Sequence, residues 1–489
     1  MIKIKHFLFL FLLSTTFSFA QNCDCESNFQ WVKKTFEDND AGFQYAIDTK
    51  GKKAYDAHNQ EFLNKIKNVK NKFECSQTIY KWLQFFRSGH FAITLNEYQN
   101  PNENDEIASA KQNSKWETVT IDQKNFESYL ATKRTEDIEG IWETDPYLIG
   151  IKKINKDYKG FIIKSGAENW KPNEVKLEIG ADQKTGTYFL RDKSSQKIEN
   201  IEYFGGNYIK INNFYLKRIS PKYEKDNDVE TYMKSLNAQK PYLDEINKTT
   251  LLLRIPSFDG SQKKNIDSVL LANKLKIEST ENLIVDLRNN GGGSDNSYSE
   301  LIPYIYTNPI RIVRTKMYST KLNNKRMLDY YENYEKYGYT KEDSEYLKKA
   351  YDKLNANLGK FVMIQGNDDG KTIAEEKLDD ILPYPKNVGI IINNNNGSTT
   401  EQFLLAAKQS KKVKLFGTTT AGVLDISNMY FVDSPCKEFK LGYALSKSLR
   451  IPDMAIDGKG IQPDYYIDKS ILDYKWIDFV TGILNEKKL

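Results

Sequence analysis

Apolar residues recur at helical spacing through the first part of the chain: Phe29, Val32 and Phe36, then Tyr55, Phe62, Ile66 and Val69, then Ile79, Leu83 and Phe86. This periodicity predicts an N-terminal helical domain over 21–95, closed by a strand at Phe91–Leu95. His90 then falls at a helix-to-strand junction. From about 115 to 220 the period drops to near two, in Tyr147, Ile149 and Ile151, Phe161 and Ile163, Val175, Leu177 and Ile179, Tyr188 and Leu190, with Gly and Asn/Asp between the runs. An antiparallel β domain, barrel or sandwich, is expected there. Gly140-Ile-Trp142 opens it in the manner of small ligand-binding barrels, and packing is the simpler reading of so short a motif.

Beyond about residue 249, apolar runs at Leu251–Ile255, Leu283–Leu287, Phe361–Ile364, Val388–Ile392 and Val413–Phe416 alternate with helix-like stretches. That alternation predicts an α/β core over 249–489 whose sheet is covered on both faces. Within it, Leu347, Ala350, Tyr351 and Leu354 keep helical spacing in a Tyr- and Lys-rich segment, about 316–380, read as a helical insertion bordering the site.

The first twenty residues change the compartment. Lys3, Lys5 and His6 precede the apolar run Phe7–Leu13 and the small-x-small site Ser18-Phe-Ala20, the order of a secretory signal peptide cleaved near Ala20. A periplasmic or secreted protein is expected. Later stretches fall short of the roughly 20 apolar residues that span a bilayer, so no stable membrane insertion is expected. The formal charge of +5 is spread over interspersed Lys and Glu without a basic stripe, which argues against nucleic acid as a partner. In an oxidising compartment Cys75 is expected to pair with Cys23 or Cys25. With two histidines after residue 20 and no second Cys pair, a metal site at Cys23-x-Cys25 is disfavoured.

Two segments carry the candidate chemistry. Asp286-Leu-Arg-Asn-Asn-Gly-Gly-Gly293 follows an apolar run and offers glycine N–H groups that can approach a developing anion. Asn396-Gly-Ser-Thr-Thr-Glu401 places Ser398 at a strand-to-helix turn, where nucleophiles are displayed. The bland reading of Ser398-x-x-Glu401 is a helix capping box. A serine needs a base near neutral pH, and the candidates are His58 and His90. His58 lies between Tyr55 and Phe62 on an apolar face and reads as a packing residue. His90 follows Gly89, which leaves room for a substrate or an adjoining domain.

These segments, with Gly417-Thr-Thr-Thr-Ala-Gly422 and Asp457-Gly-Lys-Gly-Ile-Gln-Pro-Asp464, occur in an order that resembles the tail-specific, or C-terminal processing, serine peptidases. The resemblance implies a ClpP/crotonase-like core with a parallel-rich sheet. In that family's Ser/Lys branch a lysine lies about 25 residues after the serine, where this chain has Val423. The sequence is more similar to the tricorn-like Ser-His-acid branch. That branch implies Ser398 as nucleophile, His90 as general base and then acid, and Asp457 as the orienting carboxylate. Gly292 and Thr399 would supply the oxyanion N–H groups, with Gly291 an alternative to Gly292. Asp425, near the vacant lysine position, is the fallback acid, and Asp464 is a cap or loop carboxylate. In the tricorn branch a serine stands where this chain has Gly89. The expectation is a serine endopeptidase acting on peptide or unfolded protein, with no metal or organic cofactor. The alternative is a non-catalytic ligand- or peptide-binding protein on the same core.

Overall fold

The computed structural model describes residues 23–96, 116–364 and 370–486. The expected signal segment lies outside the described residues. The chain begins with α1 (Cys25–Asn39), α2 (Phe43–Lys50), α3 (Lys52–Ile66), α4 (Lys72–Leu83) and β1 (Ala92–Leu95). There follow α5 (Gln123–Ala131), β2 (Gly140–Thr144), β3 (Tyr147–Ile154), β4 (Asp157–Ser165), β5 (Val175–Ile179), β6 (Gly186–Phe189), β7 (Ser195–Ile198), β8 (Ile201–Phe204), β9 (Tyr208–Ile211), β10 (Phe214–Ser220) and α6 (Asn227–Asn237). The remainder comprises β11 (Tyr242–Asn247), β12 (Thr250–Arg254), α7 (Lys263–Ala272), α8 (Lys274–Ile277), β13 (Asn282–Asp286), α9 (Ile302–Ile305), β14 (Ile310–Val313), β15 (Thr315–Tyr318), α10 (Asn324–Glu332) and α11 (Lys341–Asn355). It closes with β16 (Phe361–Val362), β17 (Ile373–Glu376), β18 (Asn387–Ile392), α12 (Thr399–Ala407), β19 (Val413–Gly417), β20 (Ile426–Asp433), β21 (Phe439–Ser448), β22 (Tyr465–Tyr466) and α13 (Trp476–Asn485).

The C-terminal half is built on a six-stranded sheet in the order β11-β12-β13-β18-β19-β22, in which only the edge strand β11 runs antiparallel to its neighbour. Both faces are covered. Ile266 and Leu270 of α7 and Phe403 and Leu404 of α12 pack on one, while Trp476, Ile477 and Val480 of α13 pack on the other. Such double cover explains why β13 and β18 read as unbroken apolar runs. The run Phe361–Ile364 departs from expectation. Its strand β16 pairs with β15 in a second, antiparallel sheet ordered β1-β21-β15-β16, with β20 also on β21, because the α10–α11 hairpin returns the chain beside β15 rather than to the parallel sheet.

The central domain is a nine-stranded meander, β7-β6-β5-β4-β3-β2-β10-β9-β8. Trp142, Ile149, Ile151, Leu177, Ile209 and Leu216 fill its interior, so the sheet wraps a packed core. Arg218 stacks 3.9 Å over Trp142 and donates to the carbonyls of Gly206, Glu139 and Asp137 at 2.6, 2.8 and 2.6 Å. Gly140-Ile-Trp142 therefore serves packing. α5 was not legible in the near-two period. It lays Phe126 and Leu130 against Phe161 and Val175.

The helical domain is completed by the C-terminal half. Phe439, Leu441, Tyr443 and Leu445 of β21 share one core with Phe29, Phe36, Ile79 and Trp82, and β1 pairs with β21 from Ala92↔Gly442 to Leu95↔Phe439. Disulfides Cys25–Cys75 and Cys23–Cys436 fasten the amino end. The first is one of the two expected pairings, and the second reaches the β20–β21 turn. At the centre, the fully buried Asp40 carboxylate accepts from Arg87 at 2.7 and 2.6 Å, from Gly42 N–H at 2.9 Å and from Ala444 N–H at 3.0 Å. Removing one partner of a buried pair strands the other charge. Asp40→Ala is expected to cost about 3–5 kcal/mol in denaturant unfolding and to abolish catalysis with it; an unchanged midpoint would show that the pair does not hold the domains.

Candidate active site

Ser398 sits at the N-cap of α12 with φ 55° and ψ −125°, a left-handed conformation that a non-glycine residue adopts only when its surroundings impose it. Its N–H donates to Val423 O at 3.0 Å. The hydroxyl makes no capping bond. The capping-box reading therefore fails at both ends: Glu401, fully buried, accepts instead from Thr420 Oγ1 at 2.5 Å and from the N–H groups of Gly422 and Val423 at 2.8 Å each. Burial pushes the Glu401 carboxyl up.

His90 arrives from the helical domain and lies 3.0 Å from Ser398 Oγ through Nε2. Its carbonyl accepts from Arg87 at 2.7 Å and that of Gly89 from Arg87 Nε at 2.8 Å, so the guanidinium that binds Asp40 also fixes this turn. Burial, reinforced by the Arg87 charge, pushes the imidazole down to about 4. The ring is neutral at neutral pH, the state a general base requires. His58 packs apart, stacked on Phe85, with Nε2 3.1 Å from Trp82 O.

Val423 sets the separation of the two halves. A Cβ on Gly89 would stand 2.7 Å from Val423 Cγ1, and one on Gly397 would stand 2.6 Å from Val423 Cγ2. The valine is thus a spacer between the His90 turn and the serine turn. Any side chain on either flank would push them apart. This accounts for a glycine, rather than a serine, before His90.

The expected acid is elsewhere engaged. Asp457 accepts from the N–H groups of Leu424, Asp425 and Ile426 at 2.6, 2.7 and 3.2 Å, and His90 Nδ1 is buried without a hydrogen-bond partner among the described residues. Asp457 therefore makes no hydrogen bond to the imidazole; its bonds go to three backbone donors. Asp425 is no substitute: its carboxylate binds Arg450 Nε at 2.7 Å and the N–H groups of Ile456 and Asp457 at 2.6 and 2.9 Å. What faces His90 is the Ile426 backbone, which raises its proton affinity. Asp464 is a loop carboxylate that accepts from Leu415 N–H at 2.8 Å.

The glycine loop lies against Ser398. A Cβ on Gly292, at φ 106°, would stand 2.8 Å from Ser398 Cβ and 2.9 Å from Thr399 N, so only glycine fits. Its N–H donates to Asn290 Oδ1 at 3.0 Å and is engaged, in contrast to the expectation of a free donor. The Thr399 N–H has no partner among the described residues and stands at the positive end of α12. Asn290, not singled out from sequence, is the hub of the loop. Its Oδ1 also accepts from Thr400 Oγ1 at 2.9 Å and its carbonyl from Asn396 Nδ2 at 3.0 Å. Asp286 and Arg288 are structural, forming a buried bidentate pair. Among the described residues no group of three His, Cys, Asp or Glu is placed to hold a metal.

Residues 249–467 match the model of peptidase family S41. The core is an S41 domain, and the chain is a serine-type peptidase. No curated protein matches the chain. Among solved structures, a mutant of CPAF is 13% identical over 95% of this chain and 98% of its own, with a TM-score of 0.51; this likeness is one of fold. A putative peptidase from Parabacteroides merdae is 14% identical over 96% of this chain and 98% of its own, with a TM-score of 0.42. The tricorn protease is 12% identical over 94% of this chain and 36% of its own, with a TM-score of 0.41. Ser398 lies within this S41 domain, whereas His90 lies outside the matched residues and meets it only in the folded chain.

Two outcomes test this geometry. Gly89→Ala is expected to lower kcat/KM by about 10-fold to 100-fold by displacing His90, and Val423→Ala in the same chain to restore most of it; no recovery in the double variant would refute the spacer role. Asp457→Asn is expected to lower kcat by no more than about 100-fold, far below the roughly 10⁴-fold loss of a triad acid, while costing about 1–3 kcal/mol of stability through unpaired N–H groups.

Proposed function

We propose that the protein is an exported serine endopeptidase that cleaves peptide or unfolded protein through an acyl-enzyme on Ser398. The 3.0 Å approach of His90 Nε2 to Ser398 Oγ carries the reading. With the reactive tautomer protonated on Nδ1, Nε2 accepts the hydroxyl proton as Oγ attacks the peptide carbonyl. The resulting imidazolium then passes that proton to the leaving amine, and water activated in the same way releases the acyl group. The oxyanion would find the Thr399 N–H and the positive end of α12, with Gly292 as second donor once its N–H is shared with Asn290. The largely parallel sheet supports a ClpP/crotonase-like assignment of the core, and two disulfides fit an oxidising compartment such as the periplasm or exterior.

Asp457 acts one step away in this reading. By gathering the N–H groups of residues 424–426 it fixes the Ile426 peptide beside His90 and so positions the base without touching it.

Covalent labelling by a fluorophosphonate, mapped to the peptide bearing Ser398, tests the nucleophile. Ser398→Ala should lose labelling and about 10³-fold or more of peptidase activity; because the hydroxyl caps nothing, its unfolding midpoint should barely move. A non-catalytic binding protein would leave the wild-type serine unlabelled. The depressed His90 pKa sets the pH dependence. The base is neutral above about 4, so the acid limb of kcat/KM is expected near that value rather than near the ordinary histidine value of about 6.5. A limb at 6.5 would contradict the buried base.

A further inference from the structure

The helical insertion carries a cavity of about 210 Å³ between α10, α11 and the antiparallel sheet, bordered by Tyr330, Tyr339, Tyr346, Met317 and Met327. We propose that it is a specificity subsite for an aromatic side chain of the peptide substrate. The inference rests on the peptidase reading above and adds the class of residue selected.

Position is the first argument. β20 begins at Ile426, whose backbone faces His90, and two residues later Asn428 borders the cavity. Asn428 has φ 61° and lies between the pairs Ser427–Ser446 and Met429–Ala444 of an unshifted register. Its carbonyl accepts from Arg326 Nη1 at 3.1 Å. One strand thus connects the catalytic base to the cavity. At about 3.3 Å per residue, an extended peptide reaches such a distance within three or four residues of the bond being cut.

The chemistry of the lining is the second argument. Several of its polar groups already bond within the protein. Arg326 Nε donates to Tyr330 Oη at 3.0 Å, and Tyr346 Oη donates to Ile364 O at 2.5 Å. Asn323 Nδ2 donates to the carbonyls of Asn39 and Tyr318 at 2.8 and 2.9 Å, and Asn324 Nδ2 donates to Asn355 Oδ1 at 2.9 Å. Tyrosine rings and methionine side chains make up much of the remaining wall, and both favour an aromatic ring. The lining contains no carboxylate to select a cation. Tyr339 and Tyr346 remain 39% and 47% exposed at the rim, so a side chain can enter without displacing the insertion.

The test is cleavage of a random peptide library by the full chain, with cut sites mapped by mass spectrometry. Peptides bearing Phe, Tyr or Trp at one position within four residues of the cut should exceed their alanine counterparts by at least about 10-fold in kcat/KM. In Tyr339→Ala/Tyr346→Ala that ratio should collapse towards 1, mainly through KM; Thr315→Trp, which plugs the cavity, should do the same. Binding of the same peptides to Ser398→Ala reads the subsite without turnover. Should wild type show no aromatic preference in cleavage or binding, or should folded variants keep the full ratio, the subsite is refuted. Fluorophosphonate labelling of wild type is scored separately, so an unlabelled serine overturns the peptidase reading while the binding arm still decides the cavity.

Discussion

The buried Arg87–Asp40 pair is the interaction on which the candidate site depends. Asp40 takes four hydrogen bonds, two from the guanidinium and two from backbone N–H groups, one of them on β21. Arg87 also donates to the carbonyls of Gly89 and His90. This ion pair within the helical domain therefore fixes the turn that carries His90 and, through the Ala444 N–H, ties that domain to β21. Its charges are desolvated, so it contributes specificity of docking more than net stability. The same guanidinium helps keep His90 neutral, which couples placement of the imidazole to its protonation state.

Around that anchor the site is assembled by close backbone approach. Gly89 and Gly397 flank Val423, and Gly292 rests on Ser398, so three glycines let four chain segments meet within contact distance. Buried polar hubs then fix their register. Asn290 ties the glycine loop to α12, Glu401 ties α12 to Gly422 and Val423, and Asp457 ties the following strand to its own turn. Each hub is fully engaged, as buried polar networks must be to stabilise rather than destabilise. The left-handed Ser398 persists because these neighbours leave it no relaxed alternative.

The sequence by itself determined the parts whose signals are local. Doubly covered strands read as apolar runs, the helices of the first domain followed their 3.6-residue period, and His58 was separated from His90 by the apolar face around it. The strand-to-helix turn at Ser398 and the glycine loop were legible because glycines and a nucleophile at such turns have a short-range physical meaning. The tertiary structure decided where carboxylates and strand edges found partners. Asp457 and Glu401 bind backbone N–H groups, a donor nearly every residue type supplies, so nothing in the sequence marks those contacts. Cys436 reached Cys23 across 413 residues, and Phe361–Val362 joined the antiparallel sheet because of what the α10–α11 hairpin set beside it. Periodicity and turn chemistry are fixed over a few residues; the partner of a buried polar group is fixed only when distant segments pack.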